Sequence, residues 1–241
     1  MAGLVVIACR LLLLLLLAAV SEPAWASDEL VTSARYPGGE TIPYILTGGS
    51  GRPSHAVLLM PGGAGNLSPK IEDGRLVYSL GGNFLIRSRE LFARPPIVAV
   101  SIDATTTPAR IMAIVQDLQA RFGPLAIYVA GNSRGTYATM ALAPRLDGQV
   151  AGFIHTSSLN AIASFDTRQF KSRHLIVHHV LDLCTGARFS AAIANHRSYG
   201  TALIAMEGGT SIDRPCEARA HHVYFGIEKE TVDRINAWIL N

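Results

Sequence analysis

The sequence predicts an α/β domain: an open, mostly parallel sheet with helices on both faces. Three observations carry that expectation. Short, continuous apolar runs rich in β-branched residues end abruptly at Pro, Gly or Asp, as strands buried on both faces do. Helical patterns stand between those runs, and strand–helix alternation implies parallel pairing through right-handed crossovers. Finally, no composition shift marks a linker between two domains.

In chain order, Thr41–Leu46 is the first predicted strand, and Pro43 inside it favours an edge position. Ala56–Met60 is a buried parallel strand stopped by Pro61-Gly62-Gly63, and Ile97–Ile102 is another, ending at Asp103. From Pro108 to Phe122, Ile111, Ile114, Val115, Leu118 and Phe122 fall at helical spacing. Pro108 suits the first turn of that helix, and Gly123 its stop. Leu125–Ala130 reads as a strand, Arg134–Arg145 as a helix and Val150–Thr156 as a strand. His174–Val180 and Thr201–Met206 complete the strands. A last helix from Glu228 to Leu240 places Val232, Ile235 and Ile239 on one face.

The 241-residue chain opens with an apolar run, Leu11–Val20, behind Arg10 and ahead of Ala24-Trp25-Ala26. A short apolar stretch before a small-x-small triplet is the pattern of a secretory signal peptide, here residues 1–26. Residues 27–241 are then expected to form one domain without a stable membrane span. Cys9 precedes the main apolar run, so it does not mark a lipoprotein box. The leader carries one Arg and one Glu, so its removal leaves the net charge at +3. A mild positive balance with no basic cluster argues against nucleic acid as a partner. Oligomeric state has no sequence signal. Cys184 and Cys216 remain as an even pair, which in an exported chain predicts a disulfide. Closing such a loop is worth roughly 3–4 kcal/mol in the chain-entropy treatment.

Gly131-Asn132-Ser133-Arg134-Gly135 is the chemically pointed stretch. A serine hydroxyl is a weak nucleophile until a turn exposes it, a base adjoins it and donors await the oxyanion. The pentapeptide lies between a strand and a helix, where two glycines allow a sharp reversal with Ser133 at its tip. A histidine and an acid belong in loops at the carboxyl ends of later strands. Asp182 follows the strand ending at Val180, and His221 and His222 lie between the last strand and the last helix. Ser133, Asp182, His222 is the order expected of a nucleophile elbow. His221 stays open as the alternative base.

Asp103, Asp166 and Asp213 read as caps or solvated turns. The Pro61–Gly65 loop offers backbone N–H groups, and Gly63 with Arg134 is the expected pair of oxyanion donors. That loop lacks the Lys and Ser/Thr of a phosphate-binding P-loop. His178 and His179 point to opposite faces of a strand, and His155, His174 and His196 read as structural or exposed. No metal and no cofactor are expected. A Cys184–Cys216 bridge would fasten the acid loop to the histidine loop, holding base and orienting acid together.

These residues resemble the α/β-hydrolase fold, in particular a small exported serine esterase-like subgroup. The likeness covers Thr41–Asn241 and rests on Pro61–Gly65, Gly131–Gly135, Asp182, and His222 ahead of Val223-Tyr224-Phe225-Gly226. Val223 stands where that family usually has glycine, and Pro61-Gly62 where it often has His-Gly. Asn83–Arg89 looks like a segment recurring in this subgroup. Arg87 and Arg89 are there either solvated or salt-bridged, or bind a substrate carboxylate. The short stretch between Val150 and His174 leaves no room for a large lid. The resemblance implies hydrolysis of a small-molecule ester or related acyl bond through an acyl-enzyme on Ser133. A peptidase or acyltransferase on the same residues is a second expectation, and a non-catalytic binding protein a third.

Overall fold

In the computed structural model, strands β1 (Glu29–Arg35), β2 (Thr41–Thr47), β3 (His55–Met60), β6 (Ile97–Ser101), β7 (Ala126–Asn132), β8 (Gly152–Thr156), β9 (Arg173–His179) and β10 (Ala202–Met206) form one sheet. β4 (Lys70–Glu72) and β5 (Arg75–Val77) make a separate hairpin. The structure describes residues 29–36, 38–48 and 51–241, and the predicted signal peptide lies outside them. Across the sheet the order is β1-β2-β6-β3-β7-β8-β9-β10. β1 and β2 pair antiparallel, as do β2 and β6, and all strands from β6 to β10 pair in parallel. Chain order reverses between β3 and β7, because the chain steps from β3 outward to β6 and returns across β3. In open parallel sheets that reversal splays the loops at the carboxyl ends and opens a cleft.

The strand alternation of the sequence fills two layers. Leu58, Met60, Val100 and Val129 face α3 (Pro108–Phe122) and α4 (Gly135–Leu146). Val57, Leu59, Ala99 and Ala130 face the opposite layer. That layer contains α1 (Phe84–Arg87), α2 (Arg89–Phe92) and α6 (Glu228–Leu240). α5 (Phe189–Tyr199) packs Ala191 and Ala192 on Ile176 at the β9 side. Among the described residues no helix is long and apolar enough to cross a membrane. The connection from β8 to β9 holds only two short helical turns, Asn160–Ser164 and Thr167–Gln169, so no lid stands over the sheet there.

One edge assignment differs from expectation. β2 is not the edge: β1 covers it. Pro43 stands opposite Ser33 of β1, and on its other side no strand faces it, because β6 meets β2 only over Ile45–Thr47.

Beneath α4 lies a buried polar chain whose proton directions can be worked out. Thr139 Oγ1 donates to Thr136 O at 2.9 Å, so it accepts from His155 Nδ1 at 2.8 Å. His155 Nε2 then accepts from His174 Nδ1 at 3.2 Å. That leaves His174 Nε2 bare and without a partner among the described residues. Burial accordingly lowers the pKa of His174 to about 4, with Asp147 opposing, and burial with the neighbouring His174 holds that of His155 well below its ordinary value. A depressed histidine contributes stability above its unfolded value of 6.5, and this is lost as pH falls through the folded value. The unfolding free energy should therefore fall between pH 6.5 and 4, by on the order of 3 kcal/mol for His174 alone. His174→Asn keeps a hydrogen-bonding atom where Nδ1 stands, and urea titrations at pH 7 and 4.5 should show a smaller decline for it.

Candidate active site

Ser133 follows β7 and adopts φ +52°, a left-handed conformation that is strained for a serine. The flanking glycines are needed for close approach. A Cβ on Gly131 would stand 2.6 Å from the Gly135 carbonyl carbon, and one on Gly135 would stand 2.7 Å from Pro61 O. Gly62 is equally confined, with its Cβ position 2.7 Å from Asn132 O and 3.0 Å from Ser133 Cβ. Bare backbone thus lets the end of β3, the end of β7 and the start of α4 converge on one point. Asn132 fastens the turn from within: its Oδ1 accepts from Asn83 at 2.8 Å, and its Nδ2 donates to Thr156 Oγ1 at 3.1 Å. Gly131→Ala is expected to destabilise the protein by about 2–3 kcal/mol and to lower activity, because the obstructing atoms are backbone. Gly186→Ala, with open space around the added methyl, should stay within about 0.5 kcal/mol in the same melts.

Asp182 and His222 meet in the fold. His222 Nδ1 donates to Asp182 Oδ2 at 2.8 Å, and both side chains are buried. Asp182 Oδ1 accepts from the Cys184 N–H at 2.9 Å. A third donor, His178 Nε2, reaches Asp182 Oδ2 at 3.1 Å. Burial alone would raise the Asp182 pKa, but the bonds from His178 and His222 and the Cys184 N–H outweigh it and leave it at about 2. With its Nδ1 proton committed to Asp182, a neutral His222 presents Nε2 as a bare lone pair. His221 does not compete for the acid: its ring stacks on His179 with centroids 4.3 Å apart, and His179 Nε2 donates to Gly208 O.

Ser133 and His222 line one cleft of about 260 Å³, together with Gly62, Gly63, Asn83 and Glu217. Gly63 lies at φ +62° on its wall. The N–H groups of Gly63 and Arg134 have no acceptor among the described residues, and the same holds for Gly62 and Ala64. Unpaired backbone donors beside a serine are what a developing oxyanion requires.

The histidine loop is held from several sides. Cys184 and Cys216 form the predicted disulfide, tying the acid loop to the segment before His222. Ser157 Oγ donates to the His222 carbonyl, and the Tyr224 hydroxyl donates to Val177 O at 2.8 Å while accepting from Ser157 N. Arg87 donates to Val223 O at 2.7 Å, to Ala218 O at 3.2 Å and to Glu228. Arg89 is buried against Glu29 in a two-pronged pair. Both arginines of the Asn83–Arg89 segment are therefore salt-bridged, and neither is free for substrate. Sequence reasoning missed His178, Ser157 and the bracing role of Arg87. His178 left one signal, its place four residues before the acid at the end of a strand. Among the described residues no group of three or more His, Cys, Asp or Glu side chains gathers as a metal site.

A mostly parallel sheet with a serine-tipped turn after β7, an acid after β9 and a histidine ahead of α6 defines the α/β-hydrolase fold. Solved structures of that fold superpose on most of the chain. The esterase domain of a Rhodothermus marinus protein matches with TM-score 0.61 at 12% identity, over 88% of this chain and 97% of its own. A dienelactone hydrolase from Anabaena variabilis matches with TM-score 0.60 at 13% identity, over 89% and 97%. A Xanthomonas campestris protein, described as an α/β serine hydrolase without lid, matches with TM-score 0.55 at 11% identity, over 89% and 98%. No protein-family model and no curated protein matches the sequence.

Proposed function

We propose that the protein is an exported serine hydrolase that cleaves small esters through an acyl-enzyme on Ser133. The observation that carries this reading is the 2.8 Å bond from His222 Nδ1 to Asp182, in a histidine that shares a cleft with Ser133. His222 Nε2 takes the Ser133 proton as Oγ attacks the ester carbonyl. Gly63 and Arg134 N–H groups receive the oxyanion. The C–O bond to the leaving group breaks as His222 returns its proton to that oxygen, and an alcohol departs. Water then repeats the sequence on the acyl-enzyme, releasing the acid and restoring Ser133. The solved structures of the same fold include esterases and a dienelactone hydrolase, which supports carboxylic ester chemistry. Export is supported by the leader pattern of residues 1–26 and by the Cys184–Cys216 bridge.

The test is covalent. A fluorophosphonate should label the purified protein once, at the peptide carrying Ser133, and 4-nitrophenyl acetate should give a burst followed by steady turnover. Absence of both label and turnover would defeat the proposal.

A further inference from the structure

Arg87 and Arg89 are engaged in structural pairs, and Arg214 is held by Glu217, whereas Arg134, next to Ser133 in the chain, is not so held among the described residues. Its side chain is exposed, and it has neither a hydrogen bond nor an ion pair among the described residues. It stands on the wall of a second, larger cleft of about 480 Å³, which shares Gly63 with the first and is also lined by Thr105, Thr106, Tyr137 and Leu159. No carboxylate lines that cleft. Asp103, the acid adjoining it in sequence, turns its Oδ1 onto the N–H groups of Leu67 and Ser68 at 2.6 and 3.1 Å. The smaller cleft carries Glu217 on its wall, an acid already paired with Arg214 at 2.7 Å.

The chemistry assigns one part of an ester to each cleft. Ser133 and His222 both line the smaller cleft, so the reacting bond lies there, and a leaving group set on the His222 side, where its oxygen is protonated, leaves the larger cleft beyond Gly63 for the acyl chain. The acyl chain then extends the other way, past Gly63 and along Arg134. A free guanidinium in a cleft without acids is suited to a planar anion with two acceptor oxygens. We infer that the preferred acyl group carries a terminal carboxylate, recognised by Arg134, so that the substrates are monoesters of dicarboxylic acids. This rests on the acyl-enzyme reading above.

Two chromogenic esters of matched chain length separate the possibilities: the 4-nitrophenyl monoester of adipic acid and 4-nitrophenyl hexanoate. The wild-type protein should show a higher kcat/KM for the adipate monoester. The adipate-to-hexanoate ratio should fall about tenfold in Arg134→Gln, the scale of a charge-assisted hydrogen bond, and recover only in part in Arg134→Lys, which restores the charge but not the planar fork. Both variants keep the backbone N–H at position 134. A second readout needs no variant: raising NaCl from about 0.02 to 0.5 M should lower the wild-type ratio by screening. Hexanoate turnover with a ratio that neither Arg134→Gln nor salt alters overturns the carboxylate inference and leaves the esterase reading standing. Turnover of neither ester, with no fluorophosphonate label, removes the esterase reading and this inference with it.

Discussion

Ser133→Ala is expected to lower kcat on activated esters by about 10⁶-fold, with the fold intact. The magnitude follows from what the hydroxyl supplies. Without Oγ no acyl-enzyme forms, and what persists is the weak catalysis that free N–H groups at Gly63 and Arg134 give to direct attack by water. Stability should change little, because alanine keeps the Cβ and with it the strain at φ +52°, and removes no buried hydrogen bond of the hydroxyl. The Oγ of Ser133 forms no hydrogen bond to a side chain or backbone group among the described residues, while its N–H and C=O engage Thr156 and Thr136 and are retained in alanine. His222→Ala should cost nearly as much, and the double variant hardly more than either, since base and nucleophile act as one unit. Stopped-flow bursts and thermal melts on the three variants check this. Additive losses would mean that Ser133 and His222 act separately.

Much of this site could be read from local sequence, and the reason is geometric. A parallel sheet delivers its functional loops at one end, so a glycine-flanked serine after one strand and an acid after another necessarily lie on the same side. Asp182 and His222, forty positions apart, could therefore be paired before any distance was known. The same logic fails where a contact depends on tertiary packing without a periodic signal. β1 carries an irregular mix of exposed and half-buried residues and no apolar run, so nothing in Glu29–Arg35 announces a strand. Helix α5 buries only Ala191, Ala192 and Asn195, too little for a visible apolar stripe. Arg87 holds the histidine loop from 136 positions away, and its sequence neighbours carry no trace of Val223. The choice between His221 and His222 also depended on tertiary structure, because stacking on His179 is what turns His221 away from Asp182.

Asp182→Asn should lower kcat by about 10⁴-fold, more than the loss of a unit charge in water would suggest. The reason lies in the count of donors around the carboxylate. Oδ1 faces the Cys184 N–H, and Oδ2 faces both His222 Nδ1 and His178 Nε2. Three N–H groups converge, so an amide NH₂ opposes a donor in either orientation. The backbone N–H of Cys184 cannot move away without displacing the disulfide loop. His178 cannot yield either, because Ala187 O also lies 3.1 Å from its Nε2 and requires the proton there. Only His222 can adapt, by shifting its own proton from Nδ1 to Nε2. In that tautomer Nδ1 accepts from the new amide and only the His178 N–H stays opposed to it, but Nε2 now bears hydrogen and cannot take the Ser133 proton. The buried acid also contributes to stability. Its pKa is depressed to about 2, so its contribution is present above the ordinary value of 3.8 and is lost as pH falls through 2. Asp182→Asn should consequently melt lower than wild type at pH 7 and approach it near pH 2. His178→Gln, whose terminal amide nitrogen can stand where Nε2–H does, should retain more activity than His178→Leu, which leaves Asp182 with one imidazole donor. A kcat for Asp182→Asn within tenfold of wild type would show that the 2.8 Å bond does not set the tautomer of His222, and the base would then have to be sought elsewhere.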